Sequence, residues 1–237
     1  MSESGLKRAQ DKMMAAGVHQ QAIDVFSYYY HQLEEGVTGF IAEDSIEPVT
    51  QPDLLGDVAV SPDDAQAALA KTVIIKLNGG LGTSMGMDKA KSLLPVRDGK
   101  SFLDLIVDQV VSARSSYGVK LPLIFMNSFR TREDTLAALS RYGDLAVDGL
   151  ELDFLQNQEP KLLASDLTPV EWPADPTLEW APPGHGDLYT ALEASGLLKK
   201  LLSLGYRYAS VSNSDNLGAA PDATIAGWFA ASGAPYA

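Results

Sequence analysis

A short buried strand followed by a glycine-dense loop is the feature that most restricts the fold of this chain. The run Thr72–Leu77 is mostly apolar and β-branched, which predicts a strand covered on both faces, as in a parallel sheet. The sequence NGGLGTSMG follows directly, from Asn78 to Gly86. Glycines at such a place allow positive φ angles and let a ligand approach bare backbone amides. The stretch therefore predicts either a ligand-binding loop after a central strand or a tight turn.

The spacing of these glycines excludes the two commonest phosphate-binding motifs. A Walker A loop requires a second glycine five positions after the first and then Lys-Ser/Thr, and no glycine pair here is followed in that way. In the dinucleotide-binding pattern, counting from Gly80 and Gly82 places Met85 where the third glycine is required. Lys89 and Lys91 could add cationic donors to the loop or could be ordinary surface lysines. A nucleotide or sugar-phosphate loop of another kind remains open.

The rest of the chain alternates strands with helices. We predict strands at Thr72–Leu77, Leu121–Met126, Leu152–Leu155 and Tyr206–Val211, and helices at about residues 6–35, 62–70, 102–117, 128–139, 187–204 (with a candidate break at Gly196) and from 221 on. Ser61 and Ser101 are the predicted caps of the helices that follow them, and Gly118 is the predicted end of the helix that starts after Ser101. Thr131 and Asp134 are spaced like a capping pair. This alternation predicts a three-layer α/β fold with a mainly parallel sheet. In such sheets, ligands bind beyond the carboxyl ends of the strands, where the strand order reverses. If the order is 3-2-1-4, the glycine loop and Asn213-Ser214-Asp215 meet at that point.

Charge and composition narrow the class of protein. The 237 residues carry a net charge of −13, which argues against nucleic acid or an anionic membrane as a partner. The chain contains no cysteine, so disulfides, thiolate metal sites and cysteine nucleophiles are excluded. The polar N-terminus lacks the apolar region of a signal peptide, and no apolar run approaches the ~20 residues of a membrane helix. We therefore expect a cytoplasmic protein.

Two parts of the chain are distinguished by their patterning. Residues 1–70 are predicted to form an N-terminal helical segment and an extended linker, and residues 71–237 the α/β core. Within that core, residues 159–184 are rich in proline and contain Trp172 and Trp180. A long irregular segment in a compact domain is typical of a functional loop, although the tryptophans could simply pin it to the body of the protein.

Three stretches of the sequence together resemble the UDP-glucose pyrophosphorylases, also called UTP–glucose-1-phosphate uridylyltransferases. They are LNGGLGTSMG with the following KAKS, then Gly184-His185-Gly186-Asp187, and then NSDNLG from Asn213, in the order that the family has. Related UDP-sugar pyrophosphorylases usually carry arginine where this chain has Ser84, which favours the glucose branch. The resemblance covers nearly all of this chain but only the N-terminal part of the family, whose remaining chain completes the sheet and carries a further phosphate-binding lysine.

The resemblance implies a Rossmann-like nucleotidyltransferase core, here C-terminally incomplete, at residues 71–237. Its implied reaction is uridylyl transfer from UTP to glucose 1-phosphate, giving UDP-glucose and pyrophosphate. Such a reaction depends mostly on alignment and charge neutralisation, so no nucleophilic triad is required. Two alternatives remain: a truncated, catalytically silent uridine-nucleotide-binding fragment, and a UDP-sugar pyrophosphorylase of other specificity.

The resemblance also implies the residues that bind the nucleotide. They are Leu77, Asn78, Gly79, Gly80, Lys91, Gln156 and Gly184. Lys91 matches the lysine of the family's GPKS stretch, with Ala90 in place of the proline, and would serve catalysis by contacting the triphosphate. Gln156 matches the glutamine that reads the uracil edge, a task that suits an amide because it offers both a donor and an acceptor. Gln158 is the second candidate for this role.

A second group of residues would hold the sugar phosphate and the metal. By the same resemblance, His185 binds the substrate. Asn213 and Ser214, also assigned to substrate binding, would help to hold the sugar phosphate or the ribose. We assign His185 to binding and not to general-base work, because a phosphate oxygen is already ionised at pH 7. Asp215 is the predicted Mg²⁺ ligand and a catalytic residue, since Mg²⁺ often takes only one or two carboxylates and fills its remaining positions with phosphate oxygens and water. A turn-forming aspartate is the alternative.

Overall fold

The computed structural model describes residues 3–81 and 89–237. Within these ranges the helices are α1 (Glu3–Ala15), α2 (Gln20–Glu34), α3 (Pro62–Leu69), α4 (Phe102–Tyr117), α5 (Arg132–Leu139), α6 (Asp187–Ala194), α7 (Leu197–Ser203) and α8 (Ala223–Ser232). The strands are β1 (Thr72–Asn78), β2 (Pro95–Arg97), β3 (Lys100–Ser101), β4 (Leu123–Asn127), β5 (Asp153–Leu155), β6 (Glu159–Pro160), β7 (Trp180–Ala181) and β8 (Tyr208–Asn213). In the described ranges, no helix is long and apolar enough to cross a membrane.

Four parallel strands form the central sheet in the order β5-β4-β1-β8. The α/β fold is confirmed. Counted along the four strands predicted from sequence, this order is 3-2-1-4, which is the condition stated above for the two loops to meet. β1 is buried on both faces over nearly its whole length, as its apolar, β-branched run predicts. The chain runs from β1 to β4 and β5 on one side and then returns to β8 on the other. The order therefore reverses between β1 and β8.

One face of the sheet packs against four helices of the core. Residues on this face are alternate positions of β1 and β4, such as Ile74, Leu123 and Phe125, because side chains alternate between the faces of a strand. They form one apolar cluster with buried residues of α3, α4, α5 and α8.

Local capping signals define where the helices begin. The Ser61 side chain caps α3 by accepting a hydrogen bond from the Asp64 amide at 3.1 Å, as predicted. Ser101 and Asp104 form a complete capping box at the start of α4, and Gly118 ends that helix in the left-handed conformation. These contacts fix both ends of α4, which lies on the crossover from β1 to β4.

The prediction of a single helix over residues 6–35 was wrong. The structure has two helices, α1 and α2, with a break between them. Gly17 adopts a φ of 74° and ends α1, and the His19 ring nitrogen then caps α2 by accepting a hydrogen bond from the Gln21 amide at 3.3 Å. The apolar spacing continues across the break, so periodicity alone did not reveal it.

The chain divides into two compact units. Unit 1 contains the residues up to 53 and residues 157–194, and unit 2 contains residues 54–156 and 195–237. The sheet belongs to unit 2. The division that we predicted at residue 70 stays a prediction.

Unit 1 has its own apolar core, built from α1 and α2. Its buried residues are Ala9, Met13, Ile23, Phe26 and Tyr30. Trp180 packs against this cluster, whereas Trp172 is exposed. The proline-rich segment is also less irregular than predicted, because β6 and β7 pair antiparallel within it. In this segment only one of the two tryptophans therefore has the anchoring role that was considered for both.

Candidate functional site

The carboxyl ends of the four parallel strands bring together most of the residues singled out in unit 2. Gly79 follows β1, Ser128 follows β4, Gln156 follows β5, and Ser214 with Asp215 follows β8. Because neighbouring parallel strands end at the same edge of a sheet, these residues lie along one edge. The edge includes the reversal point between β1 and β8, where the fold class places its ligands.

The two glycines after β1 are held by their carbonyl groups. The Ser128 hydroxyl donates to the Gly79 carbonyl at 2.9 Å, and the Lys91 amide donates to the Gly80 carbonyl at 3.3 Å. Their own amide groups donate to no residue in the ranges 3–81 and 89–237. A Cβ atom added at Gly79 would overlap the Oε1 atom of Gln156, whereas one added at Gly80 would meet nothing within 4 Å. Gly79 is thus required for the close approach of Gln156.

Ser128 is itself fixed by a local hydrogen bond that replaces the capping contact we predicted. Thr131 begins α5, but its side chain makes no cap bond with the helix, so the predicted pairing with Asp134 was wrong. The Thr131 hydroxyl instead accepts from the Ser128 amide at 3.0 Å. The turn before α5 therefore fixes Ser128, whose hydroxyl donates to the Gly79 carbonyl.

A buried amide on β1 connects the glycine loop to the loop after β8. The Asn78 side-chain nitrogen donates to the Asn127 side-chain oxygen at 2.8 Å and to the Thr135 hydroxyl at 2.9 Å. The Ser214 hydroxyl donates to the Asn78 side-chain oxygen at 2.8 Å. All four residues are buried. The side chains of Asn78 and Ser214, both predicted to contact ligand, therefore bond to each other.

The same network continues across β4 to the edge strand β5. Asn127 donates through its side-chain nitrogen to the buried Asp153 carboxylate at 3.2 Å. The Arg132 guanidinium donates to the same carboxylate at 2.9 Å. We name the connected set Ser214, Asn78, Thr135, Asn127, Asp153 and Arg132 the edge network. It joins the last residues of β1 and β4, the residue that follows β8 and the first residue of β5.

The loop after β8 presents an exposed carboxylate beside a fixed backbone. The Ser214 amide donates to the Leu77 carbonyl at 3.0 Å, which ties the loop to β1. Asn213 and Asp215 on either side of it are exposed. In the described parts of the chain, the Asp215 carboxylate has no cationic group within 4.0 Å, and no cluster of three or more metal-ligating residues occurs. A single accessible carboxylate fits an ion that takes its other ligands from phosphate and water.

The two lysines after the glycine loop have different surroundings. Lys91 is half-buried, and among the residues described its ammonium has no carboxylate within 4.0 Å. Lys89 is exposed and forms a long pair with Asp134 at 4.0 Å. Ala90 between them is buried and forms a bridge with Leu81. Ser84, on which the preference for the glucose branch depends, lies outside the described residues.

Gly184 and His185 belong to unit 1. Gly184 has a φ of 105°, a conformation that strains any residue with a side chain. His185 is exposed. Asp187 opens α6 and accepts hydrogen bonds from the Asn157 amide at 2.6 Å and from its side-chain nitrogen at 2.8 Å. The GHGD stretch is thus a turn that requires glycine at position 184 and is fixed to Asn157.

A second acidic group accompanies Asp187 in unit 1. Burial and the charge of Asp187 raise the pKa of Glu159 to about 7. Burial also raises the pKa of Asp187, although the hydrogen bonds from Asn157 oppose the shift. Since a raised pKa means that the folded state holds the proton more tightly than the unfolded state does, folding is favoured when these groups are protonated.

We expect the stability of the chain to fall as the pH rises from about 4.5 to about 7, because the unfolded state releases the Glu159 proton over this window whereas the folded state still holds it. The free energy of unfolding should decrease by up to roughly 3 kcal/mol across this range. Urea unfolding followed by tryptophan fluorescence, repeated across this pH range, measures the slope. Glu159→Gln should flatten it and stabilise the chain at pH 8. An unchanged slope in that variant would show that other groups cause the dependence.

Several residues of this edge were not predicted from the sequence. Asn127, Ser128 and Thr135 carry no recognisable motif, and their partners lie about 50 residues away in the chain. Lys76 had one visible signal, a lysine inside an otherwise apolar strand, which we did not use. Gln156 was predicted, and the structure places it beside Gly79.

Comparisons with known proteins agree on one group of enzymes. The sequence model of the family described as UTP–glucose-1-phosphate uridylyltransferase matches residues 23–237. The enzyme of that name from Solanum tuberosum is 42% identical over 180 residues, which are 76% of this chain and 37% of the relative. The enzyme from Hordeum vulgare is 38% identical over 226 residues, which are 93% of this chain and 47% of the relative.

Solved structures give the same result. A mutant of UDP-glucose pyrophosphorylase from Leishmania major, in complex with UDP-glucose, is 40% identical with a TM-score of 0.89, and the match covers 98% of this chain and 48% of that one. A Trypanosoma brucei structure described as UDP-glucose phosphorylase has a TM-score of 0.87 at 39% identity, and covers 96% of this chain and 49% of that one. This chain therefore spans about half the length, or less, of the proteins that it matches.

Proposed function

The chain belongs to the UTP–glucose-1-phosphate uridylyltransferase family, and on this premise we propose that it transfers a uridylyl group from UTP to glucose 1-phosphate. The proposal rests on the observation that Gly79, Gln156 and Asp215 all lie along one edge of a parallel sheet. They lie on both sides of the point at which the strand order reverses. The products would be UDP-glucose and pyrophosphate. The resemblance found in the sequence motifs supports the same reaction.

The uridine would be held between the glycine loop and Gln156. Ser128 and Lys91 bond to the Gly79 and Gly80 carbonyls. The amides of the two glycines donate to no residue in the described ranges, so they would be available to the nucleotide. Leu77 precedes them on β1, with its carbonyl already accepting from the Ser214 amide. The Gln156 amide, beside Gly79, offers one donor and one acceptor to the uracil edge. The Gln156 amide lies so close to Gly79 that only glycine fits at position 79. This arrangement supports recognition of the uracil by Gln156.

The phosphates would be aligned by cationic and polar groups at the same edge. An oxygen of glucose 1-phosphate attacks the α-phosphorus of UTP in line, a new P–O bond forms, and the bond to the bridging oxygen breaks as pyrophosphate leaves. Lys91, with no carboxylate partner among the residues described, would neutralise charge on the triphosphate. Asn213 is exposed beside Asp215 and would contact the sugar phosphate. The contacts of Gly184 with the nucleotide and of His185 with the substrate remain predictions from the resemblance.

Asp215 would hold a Mg²⁺ ion on the triphosphate. Its exposed carboxylate, without a cationic neighbour among the described residues, fits this role. When bound, the ion would neutralise charge on the phosphoryl oxygens as the leaving group departs. The protein's own part is to keep the carboxylate in place through the Ser214 contacts with β1.

The test of the proposed function is pyrophosphate release from UTP and glucose 1-phosphate in the presence of Mg²⁺. We expect release only when both substrates are present. CTP in place of UTP, and galactose 1-phosphate or N-acetylglucosamine 1-phosphate in place of glucose 1-phosphate, should give much slower release. Equal rates with another sugar phosphate would assign the chain to a pyrophosphorylase of other specificity.

Equilibrium binding of UTP and UDP-glucose separates binding from turnover. If the folded chain binds both but releases no pyrophosphate, the uridine site stands and transfer by this chain alone is refuted. If it binds neither, the proposed site is refuted as well.

A further inference from the structure

Lys76 lies in the middle of β1, and its side chain is almost completely buried, with 1% exposure. It shares a face of the sheet with Ile74, in the apolar core, and with Asn78, in the edge network. In the described parts of the chain its ammonium has no carboxylate within 4.0 Å. Burial lowers its pKa. An ammonium group in such a place is unfavourable for folding unless its hydrogen bonds are satisfied.

The two acceptors of Lys76 both belong to β8 and the loop that follows it. The Lys76 ammonium donates to the Ser212 hydroxyl at 2.7 Å and to the Ala219 carbonyl at 2.9 Å. Ser212 lies three residues before Asp215 and Ala219 four residues after it. One cation therefore joins the two ends of the segment 212–219, which we name the Asp215 loop.

Two further contacts hold the Asp215 loop between these ends. The Ser214 hydroxyl donates to Asn78, and the Gln109 side-chain nitrogen, on α4, donates to the Leu217 carbonyl at 2.9 Å. The loop is therefore fixed on the core side, whereas Asp215 itself is exposed on the other side. Since the residues that orient a metal ligand contribute to metal affinity, the contacts below the loop bear on what Asp215 can bind.

We propose that Lys76 is a positioning residue, which fixes the Asp215 loop against β1 and so sets the position of the Asp215 carboxylate. A methionine of similar shape would fill the same space without burying a charge, so the ammonium is explained by its two contacts and not by packing. The role of the carboxylate as a metal ligand rests on the proposed function, but the fixing of the loop does not.

Hydrogen exchange of the ligand-free protein tests the fixing of the loop directly. The Asn216 amide donates to the Asn213 carbonyl and the Gly218 amide to the Asn216 side chain, so the loop has protected amides to follow. In Lys76→Met we expect exchange of a peptide covering 212–220 to become at least about tenfold faster, because local opening no longer breaks two charge-assisted bonds. Exchange in α4 should stay unchanged, which distinguishes a local effect from general destabilisation.

Lys71→Met is the matched control, because Lys71 is exposed directly before the same strand. It should leave exchange in the loop at the wild-type rate. If Lys76→Met does not fold, Ser212→Ala removes one of the two acceptors and should accelerate exchange in the loop by roughly threefold. Exchange in the loop at the wild-type rate in a folded variant would overturn the proposal.

Mn²⁺ binding in the presence of UTP, followed by electron paramagnetic resonance, tests the consequence for Asp215. We expect Lys76→Met to weaken Mn²⁺ binding by about tenfold and Lys71→Met to leave it unchanged. Wild-type affinity in a variant with a loosened loop would refute the positioning role. Absence of Mn²⁺ binding by the wild-type chain would count against the proposed function, and the exchange measurement would still decide whether Lys76 fixes the loop.

Discussion

Replacing Asp215 with asparagine should lower the rate of pyrophosphate release by at least about 100-fold. The substitution keeps the size of the side chain and removes only the charge that would hold Mg²⁺ on the triphosphate. Because Asp215 is exposed and no described cationic group lies within 4.0 Å of it, the variant should fold as the wild type does. The measurement is the initial rate at saturating UTP, glucose 1-phosphate and Mg²⁺.

Asp144→Asn is the matched control for this substitution. Asp144 is an exposed aspartate in the turn after α5, where the chain returns toward the amino ends of the strands. Its loss changes the net charge by the same amount and should leave the rate unchanged. UTP binding without metal should also survive Asp215→Asn. A rate within about twofold of the wild type in Asp215→Asn would remove Asp215 from the metal site.

Replacing Gly79 with alanine should weaken UTP binding by roughly 10- to 100-fold and reduce the preference for UTP over CTP. The added methyl group would overlap the Oε1 atom of Gln156. That atom is at the end of a flexible side chain, so the amide can move away from the uracil position and the fold is expected to survive. Titration of the variant with UTP and with CTP measures both effects.

Gly143→Ala is the matched control, because a methyl group at Gly143, in the turn after α5, would meet no atom within 4 Å. It should bind UTP much as the wild type does. If Gly79 acts through Gln156, then Gly79→Ala combined with Gln156→Ala should bind UTP no more weakly than Gln156→Ala alone. Additive losses would show that Gly79 contributes through its own contact with the nucleotide and not through Gln156.

The sequence predicted those features that depend on neighbouring residues. The apolar run of β1, the caps at Ser61 and Ser101 and the glycine at the end of α4 are all local, and each was confirmed. The α/β class followed from the alternation of strands and helices, whereas the strand order 3-2-1-4 was stated only as the condition under which the two loops meet. Gly17 was missed because a glycine inside a periodic apolar pattern costs a helix only about 1 kcal/mol, so the pattern does not decide whether the helix continues.

The contacts that shape the candidate site are distant in sequence and could not be predicted. Asn78 lies 136 residues from Ser214, and Lys76 lies equally far from Ser212. A motif shows which side chains are available but not which of them are bonded to each other inside the protein. For that reason Asn78 and Ser214 were assigned to the ligand, whereas the structure shows their side chains bonded to each other and buried.

The edge network has a consequence for the entropy of substrate binding. Ordering one residue of a flexible loop costs about 1–2 kcal/mol at room temperature, and a site assembled only around its ligand loses that amount from its affinity. Here hydrogen bonds among Ser214, Asn78, Asn127 and Asp153 connect all four strands to one another without a ligand. This edge is therefore ordered when the sheet folds, and UTP binding does not have to supply the free energy of ordering it. The contacts with UTP can then contribute more fully to the alignment of its phosphates.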